Sequence, residues 1–280
     1  MALLDRIQAC DPPELANYVP FRVDATDVGL VTRAFADRLE EFADVFRVSA
    51  DAVTLSPALR GFETRTRAVA QMLEELARRG HIPGWRDETY PVGRSFAAPP
   101  LFLMERAAVP LFGVRAYGVH VNGIVAGTKA KMWIGRRSLT KPTAPGKLDQ
   151  MVAGGLPAGV GVRQNLVKEA AEEADIGPGL AARAVPVGTV SYLTEQPDGL
   201  RNDVLFNYDL VVPRDFRPVN RDGEIAAFHL WSIDEVAATV EQSDAFKFNC
   251  ALVVIDFLIR HGHIEAGHPD YEPIVRGLHR

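Results

Sequence analysis

The 280-residue chain is predicted to be an α/β protein, and three features predict it. Segments with apolar residues three and four apart interleave with segments of alternating or continuous apolar character, so helices and strands share the chain. No internal repeat or low-complexity stretch interrupts them. At residues 151–176 two adjacent glycines and a Pro-Ala-Gly turn lead into a short amphipathic run carrying Glu169, Glu172 and Glu173, the one concentration of chemistry in the pattern.

In chain order, residues 5–15 open with a short helix stopped by Pro12 and Pro13. Residues 26–46 carry Val28, Leu30, Val31, Phe35, Leu39, Phe42 and Val45 at helical spacing, which predicts a helix over that stretch. Residues 46–55 read as short strands around a Ser-Ala-Asp turn. Residues 61–79 are the strongest helix of this half, with Val69, Met72, Leu73 and Leu76 in a stripe and Gly80 just after it. These elements form a small α/β region assigned to residues 1–112, which is expected to cover the substrate pocket; residues 113–280 form the second domain.

Residues 117–123 alternate as a strand, with His120 and Asn122 on one face; a lone histidine there reads as a hydrogen-bonded core residue rather than a catalyst. Lys131–Arg137 is the next strand. If Val162–Ala174 is helical, its three glutamates fall within an arc of about 100°, opposite Leu166, Val167, Ala170, Ala171 and Ala174. Strands follow at 185–193, 203–212 and 224–231. Helices follow at Ile233–Gln242 and 246–261, the latter apolar nearly all round and so buried. No chemistry is assigned to the histidine-containing tail.

Composition narrows the function. Apolar residues make up 47% of the chain, enough for a packed core. A net charge of −5 argues against sequence-independent nucleic-acid binding, which needs a basic face. Cys10 and Cys250 lack C-x-x-C or histidine spacing, so neither a disulfide framework nor a structural zinc site is expected. The first residues include an early acid and no long apolar core, so no signal peptide is expected. No run of 18 uncharged apolar residues occurs, so no membrane-spanning helix is expected. A soluble cytoplasmic protein follows, with a homodimer left open.

Three like charges on one helix face repel unless a cation sits among them, and a hard, oxygen-seeking ion such as Mg²⁺ or Mn²⁺ is the candidate. The bland alternative is a solvated acidic face. Arg136, Arg137 and Lys141, just before the acidic run, suit a polyphosphate, since guanidinium forks grip phosphate in two places; the alternative is a solubilising basic loop. Trp85 and Tyr117 are candidates for stacking on an aromatic ring. Glu224, at the mouth of a strand after Asn220-Arg221-Asp222-Gly223, is a candidate extra metal ligand or general base.

The central segment resembles the Nudix box, G-x5-E-x7-R-E-U-x-E-E-x-G-U with U aliphatic. The match runs from Gly154 through Lys168, Glu169, Ala170, Glu172, Glu173 and Ile176, with departures at Val160, Lys168 and Asp175. The resemblance extends to FGVRAYGVHVNGIV, KMWIGRRSLTKPTAPGKLDQMVAGGLPAG, FNYDLVVP and DGEIAAFHLW, and to WRDE-Y and ERA elements before them. Together they look like the Nudix part of fungal thiamine pyrophosphokinases and related stand-alone bacterial and plastid enzymes. The resemblance implies a Nudix fold, a mixed β-sheet sandwiched between helices, with an additional N-terminal α/β region. It implies Mg²⁺- or Mn²⁺-dependent hydrolysis of a small-molecule diphosphate, namely oxy- or oxo-thiamine diphosphate, to the monophosphate and phosphate. Glu169 and Glu173 would be direct metal ligands, with a backbone carbonyl near Gly154 or Gly155. Glu172 would be ligand or base, with Glu224 as the rival base, and Lys168 would hold a box carboxylate in place. The alternatives are hydrolysis of a nucleoside diphosphate derivative such as ADP-ribose, or a non-catalytic diphosphate-binding module. Isopentenyl diphosphate isomerase chemistry is disfavoured because no cysteine precedes the box at the required strand.

Overall fold

The computed structural model describes residues 2–279. In order the elements are α1 (Leu3–Gln8), β1 (Tyr18–Val23), β2 (Thr26–Thr32), α2 (Arg33–Leu39), β3 (Phe46–Val48), β4 (Val53–Leu55), α3 (Phe62–Arg78), β5 (Thr89–Val92), β6 (Phe102–Glu105) and α4 (Val109–Phe112). Then come β7 (Arg115–Val125), β8 (Lys131–Arg137), β9 (Leu148–Asp149), β10 (Val152–Gly155), α5 (Val162–Ala174), α6 (Pro178–Ala181), β11 (Val185–Gln196), β12 (Gly199–Val212), β13 (Ile225–Ser232), α7 (Ile233–Gln242), α8 (Phe248–Arg260) and α9 (Tyr271–Gly277).

The larger sheet is mixed. Its order is β11-β12-β7-β8-β13; β7 and β12 run parallel and the other neighbours antiparallel. On one side β7 divides its partners: residues 118–121 pair with β10 and residues 123–125 with β8. The sheet therefore opens into a fork, with the outer edge of β10 on one prong and β8, β9 and β13 on the other. Alternation along β7 sends Tyr117, Val119 and Val121 into a core shared with Leu166, Ala170 and Ala174 of α5. Ile124 faces the opposite core, built around α7 and α8. Helices thus cover both faces, as the resemblance implies. Among the described residues no helix is long and apolar enough to cross a membrane.

The N-terminal region has its own four-stranded sheet, β2-β1-β4-β3, and a β5–β6 hairpin, packed on α3. Here the sequence reading needs two corrections. Residues 26–32 are strand β2, paired with β1, and the helix begins only at Arg33. Thr26, Val28, Val31 and Thr32 are β-branched, which favours a strand, and Thr32 instead caps α2 by accepting from the Phe35 amide at 3.2 Å. The first helix, assigned by sequence to the N-terminal region, packs on the other half. Leu3, Ile7 and Cys10 lie in the core of α7, α8 and α9, whereas residues 19–116 make a separate core.

Candidate active site

Gly154 and Gly155 are expected to form a turn; they lie instead in β10, opposite Val119 and Gly118 of β7. What demands glycine is close approach on both faces of the strand. A Cβ on Gly154 would overlap the Glu169 carboxyl, and one on Gly155 would overlap the Tyr90 hydroxyl. Backbone alternation decides which carbonyls are free. The Ala153 amide points away from β7, donating to Glu173 Oε2 at 2.7 Å, so the Ala153 carbonyl points outward with it. Gly155 also points outward, its carbonyl accepting from Asn165 Nδ2 at 2.9 Å. The Gly154 carbonyl turns inward, 3.1 Å from where a Cβ on Gly118 would sit. The sequence expectation of a Gly154 carbonyl ligand is corrected accordingly: the free carbonyl beside Glu173 belongs to Ala153.

Helix α5 spans Val162–Ala174, the range expected. Its glutamates do not share one environment. Glu173 is 3% exposed, and so not on a solvent face. Burial, with Asp149, Glu169 and Glu224 nearby, pushes its carboxyl well above the usual value, although the Ala153 amide opposes this. Glu169 is half-buried and raised, chiefly by burial. Glu172 is the most exposed of the three, its carboxylate 2.8 Å from Lys168 Nζ; Lys168 also reaches Glu169 at 3.2 Å. That double contact, the hydrogen bond to Glu172 first, raises the lysine's own pKa. Lys168 thus holds box carboxylates, as expected of it.

The loop before β13 clasps the end of α5. Arg221 N–H donates to the Glu172 carbonyl at 2.8 Å, and its guanidinium pairs with Asp175 at 2.6 Å. This brings Asp222 and Glu224 to Glu173, and oxygens of the three carboxylates lie within 4.8 Å of one another. Asp222 escaped sequence reasoning, which treated it as turn chemistry. The only signal for it was its place two residues before Glu224. Among the described residues no cation pairs with Glu173. A buried carboxylate without a cation, facing two more across the fork, is a donor set that fits a hard divalent ion. Glu173, Asp222, Glu224 and Glu169 would hold it, with the Ala153 carbonyl.

The expected phosphate cations divide. Arg136 is exposed and donates to the Gly146 carbonyl at 3.1 Å. Arg137 is not available for a phosphate. It is buried, pairs with Asp149 at 2.7 Å and donates to the Thr143 and Ala144 carbonyls. As strand neighbours the two arginines point to opposite faces. Lys141 pairs with Glu224. Arg137 belongs to a buried network: Asp149 also accepts from Cys250 Sγ, and Gln150 joins His120 at 2.7 Å to the Cys250 carbonyl at 3.0 Å. Burial holds the His120 pKa at about 4, so it is neutral at physiological pH. Lys247 and Arg137 overcome the burial of Asp149 and hold it at about 2. Every group is hydrogen-bonded, which agrees with the core reading of His120.

A cavity of about 590 Å³ is walled by Thr89, Phe96 and Leu103 of the N-terminal region and by Tyr117, Pro157 and Val160 of the second domain. None of the five carboxylates lines it; β10 and the loop after it connect the two. Tyr117 stacks near Phe206 at 6.1 Å, with Phe96 edge-on to both. The expected acid at the head of the motif is Val160, and it faces this cavity. Trp85 is not a wall residue: it packs at the rim of the N-terminal core and its indole donates to Asp87 at 2.7 Å.

Residues 2–116 match a family described as a domain of unknown function, DUF4743, and residues 116–251 match the NUDIX domain. Over 98% of its length the chain is 46% identical to "Nudix hydrolase 24, chloroplastic" of Arabidopsis thaliana, covering 77% of that protein. It is 45% identical to "Nudix hydrolase 20, chloroplastic" of the same plant, over 98% of the chain and 76% of the relative. An uncharacterized protein of Saccharomyces cerevisiae is 31% identical over 100% of the chain and 90% of its own. Among solved structures, a MutT/nudix family protein from Enterococcus faecalis aligns with a TM-score of 0.43 at 11% identity, over 57% of this chain and 67% of that one.

Proposed function

The chain belongs to the Nudix hydrolase family, and we propose that it cleaves the diphosphate of damaged thiamine diphosphate analogues, oxy- or oxo-thiamine diphosphate, in a reaction dependent on Mg²⁺ or Mn²⁺. The observation that carries the metal-dependent part is the meeting of Glu173, Asp222 and Glu224 across the fork beside Glu169. The substrate assignment rests on the resemblance of the flanking segments. It is supported by the aromatic group of Tyr117, Phe206 and Phe96 beside a cavity sized for a small heterocycle.

Held by Glu169, Glu173, Asp222 and Glu224, a divalent ion would supply neutralisation of phosphate charge and a lowered pKa for the attacking water. The residues do the rest. Glu169, Glu173, Asp222 and Glu224 set the position of the charge. Lys168 keeps Glu172 and Glu169 in register. Glu172, exposed enough to meet water and outside the set that would hold the ion, is the candidate to take the proton as water attacks one phosphorus; Glu224 is the rival where Glu173, Asp222 and Glu169 alone hold the ion. The anhydride P–O bond breaks, giving monophosphate and inorganic phosphate. Arg136 remains a candidate for outer phosphate contact and Tyr117 for the ring. Cytoplasmic residence and a homodimer belong to the same proposal; the two plant relatives carry "chloroplastic" in their names.

The test is phosphate release with and without added Mg²⁺ from oxythiamine diphosphate, ADP-ribose and a nucleoside triphosphate. The expected result is metal-dependent release with the thiamine analogue preferred. Preference for either nucleotide would overturn the substrate, and no metal-dependent turnover on any of them would favour a non-catalytic binding module.

A further inference from the structure

The acidic site has many carboxylates and few uncommitted cations. Lys168 is spent on Glu169 and Glu172, Lys141 on Glu224, and Arg137 on Asp149. A substrate diphosphate adds further negative charge beside these acids. The N-terminal region delivers a cation to this place. Glu105 closes β6 by accepting from the Ala107 and Arg86 amides at 3.1 and 2.9 Å, which fixes the turn that presents Arg106. The Arg106 guanidinium lies over the Tyr90 ring at 5.6 Å. One of its nitrogens, Nη1, donates to Glu88 at 2.7 Å. A second, Nη2, has no acceptor among the described residues and lies 3.5 Å from where a Cβ on Gly155 would stand.

The consecutive glycines of β10 therefore expose one strand from two sides, Glu169 against Gly154 and the Tyr90–Arg106 pair against Gly155. Between these faces runs the outward backbone edge with the free Ala153 carbonyl. Glu224 is among the acids whose charge raises the proton affinity of Arg106, along with Tyr90 and Glu88, against the opposing effect of burial. The guanidinium thus stands within electrostatic reach of the acid cluster.

We propose that Arg106 binds a phosphoryl group of the substrate through Nη2, completing from the N-terminal region a site whose acids come from the other. The inference rests on the diphosphate-hydrolase reading above. The side chain is half-exposed, so the nitrogen is open to a ligand, while Glu88 and the Tyr90 ring hold the fork in one orientation.

The experiment is calorimetric titration of wild type, Arg106→Gln and Arg106→Lys with methylenediphosphonate, a diphosphate that cannot be hydrolysed, in saturating Mn²⁺, and with Mn²⁺ alone. Loss of a charge-assisted hydrogen bond should weaken diphosphonate binding about 10- to 100-fold in Arg106→Gln. Arg106→Lys, which keeps the charge without the fork and is the milder change for folding, should fall between. Affinity for Mn²⁺ alone should stay as in wild type. Diphosphonate affinity unchanged in Arg106→Gln would overturn the assignment, as would an equal loss for Mn²⁺ alone. Wild type that binds Mn²⁺ but not diphosphonate overturns the Arg106 role alone. Wild type that binds neither removes the hydrolase reading beneath it.

Discussion

Glu173 is a carboxylate that folding buries without giving it a cation, and its energetics follow from that. In the unfolded chain it titrates near the ordinary 4.5; in the fold its pKa lies well above that value. Between those limits the folded state holds a proton that the unfolded state has lost, so metal-free stability must fall as pH rises through the window. Glu173→Gln is expected to remove that slope and to raise the metal-free melting temperature near neutral pH, and it should also abolish stabilisation by added Mn²⁺. Thermal denaturation at several pH values, with and without the ion, reads all three effects, and an unchanged slope would contradict the burial argument. The same substitution should lower turnover by at least about 100-fold. The motif put the acids on one helix, but it could not say which one the fold would bury. That depends on β10, whose Ala153 amide draws Glu173 inward. Asp222 was illegible for a similar reason: a backbone bond from Arg221 to the end of α5 brings it there, and backbone bonds leave no trace in side-chain pattern.

Strand β10 shows why elements were easier to find than their roles. Periodicity located α5 and α7 to the residue, because helices of ten or more residues with one apolar face give a clear signal. The glycine pair looked like a turn because glycine serves turns and close approaches alike, and only the partners distinguish the two. Residues 26–32 were misread for a related reason: apolar spacing in a seven-residue strand next to a helix can be counted as helical. The close approach at Gly155 gives an expected outcome of its own. Gly155→Ala should destabilise by about 1–3 kcal/mol, the range for forced overpacking, because the new methyl meets the Tyr90 hydroxyl. Adding Tyr90→Phe removes that oxygen and leaves the ring carbon at 3.1 Å, a contact a small shift can absorb. The double variant should regain most of the loss in a denaturant-unfolding cycle; strictly additive losses would show that the two groups do not touch.

At the scale of the whole molecule, the two family matches meet at residue 116, where the two cores also part, yet the chain's first residues fall on the far side of that division. Helix α1 precedes the whole N-terminal core and packs in the other one: Ile7, 1% exposed, lies with Val236, Val240, Leu252 and Ile274. Composition gave no hint of this, since a short amphipathic helix suits either core equally well. The arrangement means that the chain enters the second domain, leaves it to build residues 18–112, and returns at β7. The β5–β6 hairpin is therefore held near the acids from both ends, at α1 and at α4–β7, and also through the Ala158 amide bond to the Thr89 carbonyl at 2.8 Å. Ile7→Ala tests this tethering. Truncating a fully buried isoleucine costs about 2–5 kcal/mol, and the loss should fall on the core that α1 completes. Hydrogen exchange is expected to quicken across Phe248–Arg260 of α8, while Phe62–Arg78 of α3 keeps its protection until global unfolding. Exchange confined to residues 3–10 would mean that α1 merely rests on the second core; equal quickening in α8 and α3 would mean that the two cores unfold as one cooperative unit.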